Sequence, residues 1–127
     1  MSKFLVSLFV YLALTGSVVA ALTEIEEDFM QDIEDIQKSM TSNISLQDAA
    51  TAKSEAVELE AMFKDVEEFY VKKGDAADAV DWSKESRGYL VAISKALEAK
   101  NFDAASQSAV SLAKTCKACH KIYKSKD

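Results

Sequence analysis

The chain contains no proline at all, and after residue 21 its only glycines are Gly74 and Gly88. These two residue types punctuate hairpins, bulges and tight turns. A stretch of 106 residues (22–127) almost free of both has few places to reverse direction except at the ends of long helices. Ala, Lys, Glu and Leu, all strong helix formers, are plentiful. The expectation is an all-α fold in one small domain, 22–127.

Residues 1–21 read as a secretory signal peptide. Lys3 supplies the positive start, residues 4–14 (FLVSLFVYLAL) the apolar stretch, and SVVA with Ala21 a small-residue cleavage site. The apolar run is short for a membrane span and is broken by Thr15, Gly16 and Ser17. No Cys follows the cleavage site, which argues against lipid anchoring. The mature chain is therefore expected outside the cytoplasm and free of the membrane. Lys3 is the only charged residue in the leader, so 14 cations face 21 acids beyond it, a net −7. That balance argues against non-specific nucleic-acid binding.

Apolar residues recur at helical spacing in four stretches. Helix A opens with a capping-box pattern, Thr23 and Glu26, and carries Ile25, Phe29, Ile33, Ile36 and Met40 on one stripe. The polar run TSNIS (41–45) ends that stripe, with Ser45 as the expected cap of the next helix and Asp48 three residues on. Helix B covers about 46–73, ending on Lys72, Lys73 and Gly74, a C-terminal signature. DAADAVD reads as a crossover. Helix C covers about 80–100, with Trp82, Tyr89, Leu90, Ile93 and Leu97 inward, and helix D runs from a cap at Asp103 to about 124. Each stripe is apolar on one side only, so the helices need one another. Four of them with short links predict an antiparallel, up-down-up-down four-helix bundle.

Both cysteines and the only histidine fall within five residues, Cys116, Cys119 and His120. Such a C-x-x-C-H cluster has three readings: a dithiol redox pair, a zinc site, or the attachment point of a c-type haem. Zinc needs four ligands and the chain has no further Cys or His. A thioredoxin-like dithiol belongs in a βαβ setting that a helical chain lacks. For haem the spacing has a reason. Two thiols on one turn reach the two porphyrin vinyl groups as thioethers, and the next residue, His120, can ligate the iron. Two exported thiols tend to oxidise; thioethers take both out of that chemistry. A bacterial periplasm is the natural compartment.

In an up-down-up-down bundle, the start of A, the end of B, the start of C and the end of D share one end. His120 fixes that end as the haem end. Met30, Val66, Phe69, Tyr70, Trp82 and Tyr89 fall there. Phe69, Trp82 and Tyr89 are candidate pocket walls, and Met30 a candidate sixth iron ligand. Met40 lies ten residues further along, roughly 15 Å away, and is expected to fill the far core, as is Met62. Gly88, inside helix C, has two readings: close approach of a flat ligand, or a bland surface position.

The signal peptide, the four-helix length, Trp82 at the head of the third helix and CKACHKIYK near the C-terminus together resemble the class II c-type cytochromes, the cytochrome c′ family. The resemblance covers about residues 22–126. It implies one covalent haem c per chain, held by Cys116 and Cys119 with His120 as axial ligand. Low-spin members of that family take a Met from the first helix, as Met30 could provide, and carry electrons. High-spin members leave that iron face open and bind nitric oxide or carbon monoxide. The family often has an Arg where Lys124 stands, and an Arg in the first helix that meets a propionate; helix A has none. Lys72, Lys73, Lys84 and Arg87 are the cations that could substitute. A homodimer through helices A and B is a common family arrangement.

The expected function is that of a periplasmic mono-haem electron carrier, with a gas-binding protein as the alternative. No enzymatic activity is expected, because no paired carboxylates, second His or nucleophile constellation is present. Acids crowd the start of helix A (Glu24, Glu26, Glu27, Asp28), and lysines the end of helix D (Lys114, Lys117, Lys121, Lys124, Lys126). Each set suits its own helix dipole, and the lysines could also steer an acidic redox partner protein.

Overall fold

The computed structural model describes residue 25 and residues 27–123. The expected leader, the Thr23–Glu26 cap, Lys124 and Lys126 lie outside the described residues. Four helices account for nearly all of the rest: α1 (Glu27–Ser45), α2 (Ala49–Lys73), α3 (Ala77–Glu98) and α4 (Phe102–Tyr123). There is no strand among the described residues. Three-residue links join successive helices, and such short connections leave only antiparallel neighbours. Packing runs α1–α2, α2–α3, α3–α4 and α4–α1, with no contact across either diagonal between backbones. This is the four-helix bundle the apolar stripes predict.

The core is a single column. Met40, Leu59, Leu90, Ile93 and Leu112 are wholly buried at its centre and far end, with alanines 52, 56, 105 and 109 letting the helices approach. Met40 thus fills the core, as expected. Met62 packs beside it, half-buried.

The helix boundaries differ from the sequence expectation at three places, each for a local reason. TSNIS does not end the first helix: α1 continues to Ser45 because Ile44, 3% exposed, reaches the core. The hydroxyls of Thr41 and Ser45 donate to the carbonyls of Gln37 and Thr41 one turn back. Asn43 donates across to the Glu55 carboxylate at 3.0 Å. The cap of α2 is therefore Asp48, whose carboxylate accepts the Thr51 N–H at 3.2 Å, and not Ser45. The turn between them needs Gln47 in the left-handed region, at φ 59°.

The second difference lies in DAADAVD, most of which is helical. α3 begins at Ala77, because Ala76 and Ala79 are buried and demand packing there. Gly74 alone makes the break, at φ 86° with its N–H on the Tyr70 carbonyl. Third, the cap of α4 is Asn101, which accepts the Ala104 N–H at 3.1 Å; Asp103 lies inside the helix. Lys100 turns the chain there with φ 51°.

A cavity lined by the Cys-Cys-His turn

α4 presents Cys116, Cys119, His120 and Tyr123 at i, i+3, i+4 and i+7, hence on one face. That face opens onto a cavity of about 550 Å³ at one end of the bundle, well inside the range of small-molecule and cofactor sites. All four helices contribute walls. Met30 and Ile33 come from α1, Phe63, Val66 and Phe69 from α2, and Trp82 from α3. The structure therefore brings Cys116, Cys119, His120, Met30, Phe69 and Trp82 together. Tyr89 does not join them. It lies two turns further along α3 and packs, half-buried, against the core.

The cavity exists because α3 has small residues where the other levels have large ones. Its inward stripe runs Ala79, Ser83, Ser86, Leu90, Ile93, Leu97. The three bulky members sit at the far end and the three small ones at the cavity end. Ser83 and Ser86 are 3% and 2% exposed, and both line the cavity. Their hydroxyls donate to the Ala79 and Trp82 carbonyls at 2.7 and 2.8 Å. Polar residues are thus buried without an orphaned donor. The inward stripe read from sequence carried Trp82 and Tyr89 instead, because serines do not register in an apolar pattern; the 4-3-4-3-4 spacing from Ala79 to Leu97 was the available signal. On the opposite side, α1 and α4 touch least of any adjacent pair, and residues of both line the cavity.

Cys116 and Cys119 are not joined in a disulfide, and both thiols are poor acids. Burial pushes the Cys116 thiol up to about 11, with Cys119 and the Glu34 carboxylate adding to it. Burial, then the Asp78 carboxylate, pushes Cys119 up to about 11. At neutral pH they are neutral thiols, weak nucleophiles until a proton is removed. Among the described residues no group of three or more His, Cys, Asp or Glu side chains converges as a metal site.

The mouth of the cavity carries an aromatic and charged cluster, in which Tyr123 and Asp78 join the Phe69 and Tyr70 expected at this end. The Tyr123 hydroxyl donates to the Asp78 carboxylate, whose same oxygen accepts the Ala79 N–H at 2.9 Å. This ties the last turn of α4 to the first turn of α3. The bond to Asp78 is also the main reason the Tyr123 phenol is pushed up to about 12. Tyr70 and Tyr123 meet across the α2–α4 diagonal with centroids 5.1 Å apart, and Phe69 stands edge-on to Tyr70 at 5.0 Å. Asp78 went unnoticed because its segment read as a loop.

Of the four cations considered for a propionate, only Lys73 lines the cavity. Arg87 is committed elsewhere, with Nε 3.0 Å from Glu60 and Nη1 2.7 Å from Glu67 on α2. Gly88 faces solvent, and a Cβ built there meets nothing within 4 Å. It is a bland surface position and not a point of close approach. No helix among the described residues is long and apolar enough to cross a membrane. The chain matches no protein-family model, and no curated protein or solved structure is significantly similar to it.

Proposed function

We propose that the protein is a c-type cytochrome of the four-helix class, an exported electron carrier with one covalently attached haem. One observation carries the reading: the C-x-x-C-H turn faces a roomy cavity enclosed by all four helices, where a bundle without a cofactor would be packed solid. The residues present fit the group. Two neutral thiols and an imidazole share one face of α4. The walls are aromatic and aliphatic, and among the described residues no buried side-chain polar atom lacks a partner. Cys116 and Cys119 would hold the porphyrin as thioethers, and His120 and Met30 would be the residues to ligate its iron. A bound haem supplies one-electron iron chemistry, and a His/Met pair raises its potential toward that of a carrier.

The rest of the chain contributes exclusion and steering. Phe69, Tyr70 and Trp82 line the site and would keep water from a bound haem, lowering the dielectric around it. Lys114, Lys117 and Lys121 are exposed along α4, beside the turn that holds the motif. They would draw an acidic redox partner, with an association rate that falls as salt rises. The leader read in residues 1–21 puts this function in a periplasm.

A second reading has its own observation. Met30 sits on α1, the less closely packed of the two helices adjacent to α4, so its sulfur would be the easier iron ligand to displace. A protein that releases it would bind nitric oxide or carbon monoxide. The test is expression with a c-type maturation system, followed by mass and optical spectra. Covalent haem with sharp alpha and beta bands on reduction is expected. A broad high-spin spectrum with rapid stoichiometric carbon monoxide binding selects the gas-binding reading. A chain that leaves the maturation system with two unmodified thiols overturns both.

A further inference from the structure

A porphyrin attached through its two vinyl groups carries two carboxylates on the opposite edge. A cavity that receives it must meet those charges with donors or leave them to water. Among the described residues that line the cavity, Lys73 is the only lysine or arginine. It stands in the last turn of α2, on the helix diagonally across the bundle from the thiols of α4. Its ammonium lies 5.9 Å from the centroid of Tyr70 and 5.6 Å from that of Tyr123. The two rings hold the charge at the mouth.

No carboxylate among the described residues lies within 4 Å of that ammonium, although acids surround the cavity. Asp78 of α3 is occupied by neutral donors, the Tyr123 hydroxyl and the Ala79 N–H. Glu34 of α1 pairs with Lys38 at 2.8 Å, and Glu27 lines the α1 wall. From α4 the ionisable groups of the wall are Tyr123, His120 and the two thiols. Among the described lysines and arginines the cavity wall thus has one, Lys73, held by two aromatic rings.

We propose that Lys73 is the charge partner of a porphyrin propionate, a role resting on the haem reading above. A cation within about 4–6 Å of a carboxylate lowers its pKa by roughly 1–3 units. The propionate paired with Lys73 stays ionised to lower pH than a solvated one, and the positive charge beside it raises the reduction potential.

The experiment uses the holoprotein with Lys73→Gln, Lys73→Arg and, as control, Lys72→Gln. Lys72 shares the last turn of α2 and its dipole but does not line the cavity. Reduction potential is measured against pH. In Lys73→Gln the acid step of the curve is expected to move up by about one pH unit or more, with a lower potential at neutral pH. Lys73→Arg keeps the parent curve, and Lys72→Gln does too. Coincident curves for Lys73→Gln and Lys72→Gln, in proteins that carry covalent haem, overturn the role of Lys73 alone. A parent chain that acquires no covalent haem overturns this inference together with the function it rests on.

Discussion

Replacing Cys116 and Cys119 together by Ala, in a chain that never receives haem, tests how far the bundle depends on what fills its cavity. At roughly 24 cal/mol per Å³, a dry cavity of about 550 Å³ would cost about 13 kcal/mol. Whole domains of this size hold only about 5–15 kcal/mol. The void borders the loosely packed α1–α4 seam, so water and movement of α1 relieve part of the cost; even a quarter of it, about 3 kcal/mol, is a large share. The double variant should therefore be a loosely packed helical state. Far-UV circular dichroism should keep most of its helix, while the near-UV bands of Trp82 and the tyrosines largely vanish.

A companion variant sharpens the test. Adding Ser83→Leu and Ser86→Leu fills part of the cavity from α3, at roughly 0.8 kcal/mol per buried carbon. The two serine hydroxyls are spent on carbonyls of their own helix, so removing them orphans nothing essential. Near-UV bands and a cooperative urea transition should return. The reasoning fails if the cysteine-free chain without haem already unfolds cooperatively with near-UV bands as strong as those of the filled variant.

Gly88→Ala should stabilise the protein by about 0.5–1 kcal/mol, seen as a higher urea midpoint at unchanged slope, since a Cβ there meets nothing within 4 Å. Met30→Leu in the haem-loaded protein should make the reduced iron bind carbon monoxide rapidly; a spectrum unchanged from the parent removes Met30 from the iron. The hydrogen bond to Asp78, with burial, raises the Tyr123 phenol from 10.0 to about 12. The folded chain therefore keeps a proton that the unfolded chain loses above pH 10, so stability falls as pH rises from about 10 to 12. Tyr123→Phe should lose part of that decline, and denaturant melts at pH 8 and pH 11 read it directly.

Much of the fold could be read from spacing alone. The near absence of proline and glycine gave helices, and the stripes gave four of them in a bundle. Burial followed at Ile33, Met40, Leu90, Ile93 and Leu97. The motif gave the face of α4, and topology gave the shared end where Met30, Phe69 and Trp82 meet it. What was not legible depended on side chains acting out of type. Ser83 and Ser86 are buried because their hydroxyls turn back on their own helix, which no apolar pattern reveals. Asp78 hides in a run that looks like a loop until Ala76 and Ala79 prove to be core. Tyr89 fell to the opposite error: at seven residues from Trp82 it shares a face, but it sits too far along α3 to reach the cavity. The helix boundaries slipped at Asn43 and Asn101 for the same reason. An asparagine reads as a breaker, and only tertiary contacts decide whether it ends a helix, caps the next or spans to a neighbour.

The seam between α1 and α4 also has a consequence in time. Contacts between α2, α3 and α4 join neighbours in sequence, so they form over short loops. α1 reaches α4 only after a loop of more than half the chain has closed, the slowest contact by topology. The hydrogen bonds of α1 to α2, from Ser39 and Asn43 to Glu55, sit beside the α1–α2 turn. The α1–α4 contact is thus expected to be the last of the bundle to form. Native-state hydrogen exchange should find the amides of α1 near Met30 opening at lower free energy than those of α3 near Leu90. Equal protection of the two would mean that α1 folds with the rest.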